Sequence, residues 1–84
     1  MECKVYRMKK YNGKTTKAFV DLIFDNTLIV KGYNLVEGKE GLFLGNPSEK
    51  NKDGKYYDIL RFNNKEEHKK AEELVIEEYY KNNE

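Results

Sequence analysis

A strict alternation of apolar side chains between Ala18 and Phe24 constrains the fold more than any other part of this sequence. Ala18, Val20, Leu22 and Phe24 occur at every second position, so they share one face of an extended strand. The other face is half polar and carries Lys17, Phe19, Asp21, Ile23 and Asp25. This pattern predicts an antiparallel sheet that is covered on one side only.

Turn signals on both sides of this strand predict its neighbours. The pair Asn12-Gly13 favours a type I′ turn, whose two central residues have positive φ, and it would follow a first strand at residues 3–10. In that strand Cys3 and Val5 would be the apolar positions. Asp25-Asn26 marks the next turn, before a third strand at residues 27–36. The alternation of that strand changes phase at Gly32, which predicts a β-bulge or a bend there.

Two further strands are predicted at residues 42–46 and 55–61. The segment between them contains the only proline, Pro47, and ends with Asp53-Gly54. We expect the two strands to form a hairpin whose connection is too long for a tight turn. Long hairpin loops of small domains often carry the function, which makes residues 47–55 a candidate site.

A helix is predicted after Asn63-Asn64. With Asn64 as N-cap, Glu67 stands at the third helical position, as in a capping box. The apolar stripe consists of Ala71, Leu74, Val75 and Tyr79. The helix should end near Lys81, before Asn82-Asn83. The sequence therefore predicts one α+β domain over residues 1–84, an antiparallel sheet of about five strands with one C-terminal helix packed on it.

Composition argues against several classes of protein. A single cysteine, Cys3, and a single histidine, His68, allow no internal disulfide and no evident metal cluster. Neither a signal peptide nor a membrane-spanning run is recognisable, so we expect a cytoplasmic protein. His68 is interpreted as a surface histidine on the polar side of the helix, and Ser48 lacks a nucleophile motif. We expect no enzyme activity, no cofactor and no small-molecule substrate.

Charge is distributed unevenly along the chain. Residues 1–17 carry six basic side chains against Glu2, whereas residues 63–84 carry seven glutamates and four lysines. Cations beside aromatic rings are typical of nucleic-acid binding, although lysines on edge strands also prevent aggregation of sheets. The candidate nucleic-acid-binding residues are Arg7, Lys9, Lys10, Lys50, Lys52, Lys55 and Arg61.

Between residues 18 and 59 the chain contains several short runs in a specific order. They are Phe24-Asp25-Asn26, Ile29-Val30, Val36-Glu37-Gly38, Gly41-Leu42-Phe43-Leu44, Pro47-Ser48 and Asp53-Gly54-Lys55-Tyr56-Tyr57-Asp58-Ile59. Together they resemble the stage V sporulation protein G (SpoVG, septation protein) family. The basic first strand and a closing helix that ends in Tyr79-Tyr80 extend the resemblance to nearly the whole chain.

The resemblance implies a small bacterial α+β protein that forms homodimers and binds DNA and RNA as a regulator. Members of that family are associated with sporulation, septum formation and virulence-gene control, and no cofactor or enzyme activity belongs to it. The alternative is a protein-interaction module of the division or sporulation machinery that binds no nucleic acid.

Four segments of this sequence depart from the family pattern. Asn46 replaces the usual methionine, Glu49-Lys50 replaces two basic residues, and Tyr57 replaces an arginine. The family's Ala-His-Pro run is Leu60-Arg61-Phe62 here. Cations of the loop are therefore lost or moved, with Lys52, Lys55 and Arg61 as partial compensation.

Overall fold

Four strands form a meander in which each strand pairs with the next one along the chain. They are β1 (Cys3–Lys10), β2 (Thr16–Phe24), β3 (Leu28–Gly38) and β4 (Gly41–Gly45), and their order in the sheet is β1-β2-β3-β4. All pairs are antiparallel. The structure is a computed structural model that describes residues 1–81.

One helix and a separate ribbon complete the fold. The helix α1 (Lys65–Lys81) packs on one face of the main sheet. β5 (Ser48–Lys50) and β6 (Tyr56–Asp58) pair with each other as a two-stranded antiparallel ribbon. The predicted α+β class is confirmed. Within residues 1–81, no helix has the length and apolar character needed to cross a membrane.

The predicted hairpin between the fourth and fifth strands is wrong. Tyr56–Asp58 does not pair with β4 but with Ser48–Lys50, which lies inside the segment expected to be a loop. The side chain of Asn51 stabilises the short connection between β5 and β6, because its oxygen accepts the backbone N–H groups of Asp53 and Lys55 at 2.9 and 3.0 Å. This local turn allows a ribbon to form immediately after Pro47.

The type I′ turn lies in the second hairpin and not in the first. Asp25 and Asn26 have φ values of 52° and 56°, and the N–H of Thr27 donates to Phe24 across the turn at 2.9 Å. The prediction for Asn12-Gly13 is wrong, since neither residue has a positive φ. The Tyr11 ring lies over Gly13, where an added Cβ would be 2.6 Å from the ring.

The predicted β-bulge at Gly32 is confirmed. The register of β2 and β3 shifts between the pairs Val20–Tyr33 and Leu22–Val30, and Gly32 has a φ of 103°. An added Cβ at Gly32 would lie 3.4 Å from Cβ of Pro47. The bulge therefore leaves room for Pro47, the second residue after β4, to pack against the sheet.

A second bulge, in β1, changes which side chains of that strand face the helix. The register with β2 shifts between Val5 and Arg7. Met8 consequently shares the helix-side face with Cys3 and Val5 and packs against the core. Strict alternation from Cys3 and Val5, the two apolar positions expected in this strand, would turn Met8 to the opposite face with Lys4; the bulge reverses this.

The core lies between the main sheet and α1. Its buried members are Ala18, Val20, Leu22, Phe24, Tyr33, Leu35, Leu44, Ala71 and Val75. The predicted helical stripe is confirmed, with Ala71 and Val75 buried and Leu74 and Tyr79 half-buried. Asn64 is the N-cap, since its side-chain oxygen accepts the Glu67 N–H at 3.0 Å. The helix is described to Lys81, and the predicted stop at Asn82-Asn83 lies outside the described residues.

Candidate nucleic-acid interface

The face of the main sheet opposite α1, which we call the outer face, combines cations with exposed apolar side chains. Its position follows from β2, where Ala18, Val20 and Leu22 are buried against the helix and the intervening residues point the other way. The register between strands then assigns to the outer face Lys4, Arg7, Lys9, Phe19, Asp21, Ile23, Ile29, Asn34, Val36, Phe43 and Gly45.

Two phenylalanine rings stand exposed on this face. Phe19 and Phe43 are 45% and 44% exposed. The Tyr11 ring supports Phe19 with a centroid distance of 5.2 Å and an interplanar angle of 57°. Phe43 packs against Gly38, where an added Cβ would be 3.0 Å from Cε1 of the ring. Both rings are therefore held from one side and open to solvent on the other.

The predicted cations of β1 lie on two different faces. Arg7 and Lys9 pair with Asp21 and Phe19 and so belong to the outer face. Lys10 pairs with Ala18 and points toward the helix, where its Nζ lies 5.0 Å from the centroid of the Tyr79 ring. Such a cation–π contact anchors the end of α1 to β1.

The ribbon formed by β5 and β6 carries three predicted cations, Lys50, Lys52 and Lys55. Every residue from Ser48 to Arg61 is exposed. Lys50 lies 5.9 Å from the centroid of the Tyr56 ring. Pro47 at the base is buried, and its carbonyl accepts the Ile59 N–H at 2.8 Å. The ribbon is thus a projecting arm with a fixed base.

The seventh predicted residue, Arg61, borders an apolar hollow of about 200 Å³ at one end of the main sheet. The hollow is lined by Met1, Phe24, Leu28, Val30, Tyr33, Leu60, Arg61 and Phe62. The hydroxyl of Tyr33 is buried, with no hydrogen-bond partner in the described part of the chain. Burial, and secondarily the charge of Cys3, raises the pKa of Tyr33 to about 12.

The seven predicted residues therefore occupy separate places and form no single patch. β1 and β4 are opposite edges of the sheet, about 14 Å apart at three strand spacings, and the ribbon follows β4. None of Arg7, Lys9, Lys50, Lys52, Lys55 and Arg61 forms an ion pair with another residue of the 1–81 region. The acidic side chains concentrate on α1, which contains six glutamates.

Comparison with known proteins gives the family. A sequence model of the SpoVG family matches residues 1–81. The chain belongs to the SpoVG family. Among relatives named "Putative septation protein SpoVG", that of Archaeoglobus fulgidus is 36% identical over 78 residues, covering 93% of this chain and 89% of the relative. That of Bdellovibrio bacteriovorus is 36% identical over 80 residues, with 95% and 71% covered. The names of these relatives describe a septation protein.

Residues 41–59, which contain the last three of the short runs that resemble SpoVG, include β4 and the ribbon. Two residues of this segment that depart from the SpoVG pattern, Glu49 and Tyr57, are directly paired across the ribbon. The Tyr57 hydroxyl donates to Oε2 of Glu49 at 3.3 Å, and the nearby carboxylate charge raises the pKa of Tyr57. Asn46 is a third departure, and its Nδ2 donates to Asp58 at 3.3 Å. The departures are thus mutually compatible, since they form side-chain hydrogen bonds across the ribbon and at its base.

His68 was interpreted as a surface histidine, and this interpretation is wrong. Its side chain is largely covered, its ring lies edge-on to Phe62, and its Nε2–H donates to the Leu44 carbonyl at 3.0 Å. Oε2 of Glu72 accepts the Leu44 N–H at 3.0 Å. The helical spacing could have predicted this position, because His68 lies three residues before Ala71 and seven before Val75 and so borders the apolar stripe.

Proposed function

We propose that this SpoVG-family protein is a homodimeric nucleic-acid-binding regulator that acts in septation. The observation that carries the proposal is that six of the seven predicted cations are exposed and form no ion pair among residues 1–81, and that exposed aromatic rings lie near them. The chain has 15 acidic residues, yet these cations are left unneutralised. Polyanion binding uses such cations, since each one that meets a phosphate releases a counterion.

An electrophoretic mobility shift series at rising salt tests the proposal. Binding should be strong at low salt and weaken as salt rises, with a slope of about −0.9 per phosphate contact on duplex DNA and about −0.7 on single strands. Replacing Arg7 and Lys9 together with alanine should lower affinity and flatten that slope. The matched control replaces Lys65 and Lys69 of α1, which removes the same charge elsewhere. No binding at low salt would refute the proposal.

Self-association is supported by apolar surface around the ribbon. Ile59 and Leu60 are exposed, and Leu60 borders the apolar hollow at the end of the sheet. An 84-residue chain buries little apolar surface by itself, so a second copy would stabilise it. Sedimentation velocity at micromolar concentration should give the mass of two chains, and a monomer at all concentrations would contradict this part of the proposal.

A protein-interaction role within the division machinery is the second candidate. The projecting ribbon favours it, because Tyr56 is 72% exposed and exposed tyrosines are common in protein interfaces. Capture of a partner that survives nuclease treatment, together with no shift of nucleic acid in the assay above, would favour this candidate.

A further inference from the structure

The outer face has the layout of a stacking platform. One row across all four strands consists of Lys9, Phe19, Asn34 and Gly45. It places a cation at the edge, an exposed ring beside it and an amide next to the ring. Gly45 ends the row without a side chain, so the surface beyond Asn34 stays low and open.

A second ring extends this platform. Phe43 pairs with Val36 and therefore lies two strands away from Phe19, about 10 Å across the sheet. Each ring is packed from one side, Phe19 by Tyr11 and Phe43 by Gly38, which fixes its orientation. A ring that is already ordered loses little conformational entropy when a flat ligand stacks on it.

The charged side chains of the outer face indicate which kind of ligand it binds. Arg7 and Lys9 line the β1 side of the outer face beside Lys4, which forms an ion pair with Glu2 at 3.9 Å, and Asp21 is the acidic side chain that the register places there. Arg7 and Lys9 make no ion pair within the described residues. A face with this excess of positive charge repels an identical face and attracts a polyanion.

We propose that the outer face binds single-stranded nucleic acid, with bases stacked on Phe19 and Phe43 and phosphates held by Arg7 and Lys9. This inference rests on the proposed function and specifies its ligand and its surface. Aromatic rings on a positively charged surface stack bases that are already unpaired, because every base offers a flat face.

Size argues against a duplex on the same face. Four strands are about 14 Å across before side chains are counted, whereas the major groove is about 12 Å wide and admits a helix or a two-stranded ribbon. In a duplex each base is also stacked on the neighbouring base pairs, so no base face would be available to the rings of Phe19 and Phe43.

Fluorescence anisotropy with three labelled probes tests this inference. The probes are a mixed-sequence RNA strand, the DNA strand of the same sequence, and the DNA duplex. Both single strands should bind more tightly than the duplex. Phe19→Leu and Phe43→Leu should each weaken single-strand binding about fivefold or more, with the salt slope unchanged because no phosphate contact is lost. Lys9→Ala should flatten the slope by about 0.7.

The matched control is Tyr56→Leu, which removes an exposed ring from the ribbon and should leave affinity within twofold. Far-UV circular dichroism checks that each variant is folded, which we expect because both phenylalanines are half exposed.

Each contrary outcome has a distinct meaning. Tighter duplex binding, or a large loss in Tyr56→Leu with none in the phenylalanine variants, would overturn the platform and leave the proposed function intact. Dissociation of the dimer by Phe19→Leu in sedimentation velocity would identify the face as a contact between copies and also overturn it. Absence of binding to all three probes at low salt would remove the proposed function itself.

Discussion

Replacing Tyr33 with phenylalanine should make this protein more stable at neutral pH. Tyr33 is completely buried, and its hydroxyl has no partner among the described residues. A buried hydroxyl without a partner costs about 1–3 kcal/mol, whereas loss of one oxygen leaves only a small gap. We expect the free energy of unfolding to rise by about 1 kcal/mol, which raises Tm by about 4–8 °C in a domain of this size.

The same variant should also resist alkaline unfolding. The pKa of Tyr33 is about 12 in the folded chain and about 10 in an unfolded chain. Above pH 10 the unfolded state therefore loses this proton first, and the stability of the wild type falls as the pH rises toward 12. At pH 11 the wild type should have lost about 1.4 kcal/mol that Tyr33→Phe retains.

Urea unfolding at pH 7 and pH 11, followed by far-UV circular dichroism at one fixed protein concentration, measures both effects. Tyr56→Phe is the matched control, because it removes a hydroxyl that is already in water and should change stability by less than about 0.5 kcal/mol. A less stable Tyr33→Phe at pH 7 would show that the hydroxyl does have a partner, and the reasoning would fail.

Three further substitutions test local features of the fold by the same urea titration. Asn64→Ala should cost about 1 kcal/mol by removing the N-cap, while Asn64→Asp should keep most of that stability; equal stability of the two variants would contradict the cap. Gly32→Ala should cost about 1–3 kcal/mol, because an alanine at a φ of 103° is strained, and an unchanged midpoint would contradict this. Glu72→Ala should cost about 1–2 kcal/mol by leaving the Leu44 N–H without an acceptor, and Glu72→Gln should restore most of the loss.

Features with a local cause could be predicted from the sequence. The alternation of Val20 and Leu22, the cap at Asn64 and the bulge at Gly32 each depend on a few neighbouring residues. The helical stripe around Val75 is of the same kind, because the helical period alone places it on one face. These signals were sufficient for the α+β class and for the side of the sheet that is covered.

Features set by distant contacts could not be predicted in this way. The bulge in β1 contains no glycine that would predict it from the sequence. The inward position of Met8 can therefore be derived only from the pairing with β2. Tyr56–Asp58 had two available partners, β4 and the segment after Pro47, and only the turn at Asn51 decides between them. His68 needed the location of Leu44, which is 24 residues away.

The candidate site was predicted as a set of exposed cations but not as a surface. Lys9 and Lys10 are neighbours in a strand, and period two alone requires them to point to opposite faces. Exposure of Phe19 and Phe43 was not foreseen as a feature, because half-polar outer faces of sheets often carry single apolar residues. The register of four strands brings Phe19, Asn34 and Lys9 into one row.

The contacts of His68 and Glu72 with Leu44 determine where the helix lies along the sheet. The two side chains are one helical turn apart, and between them they bond both backbone groups of a single residue of β4. A slide of α1 by one turn, about 5.4 Å, would leave a donor and an acceptor of the edge strand without partners. The hydrophobic effect is non-directional, so the buried Ala71 and Val75 do not by themselves determine this alignment. The polar pair therefore gives the two layers one alignment, and in solution it should appear as a single sharp set of core methyl resonances.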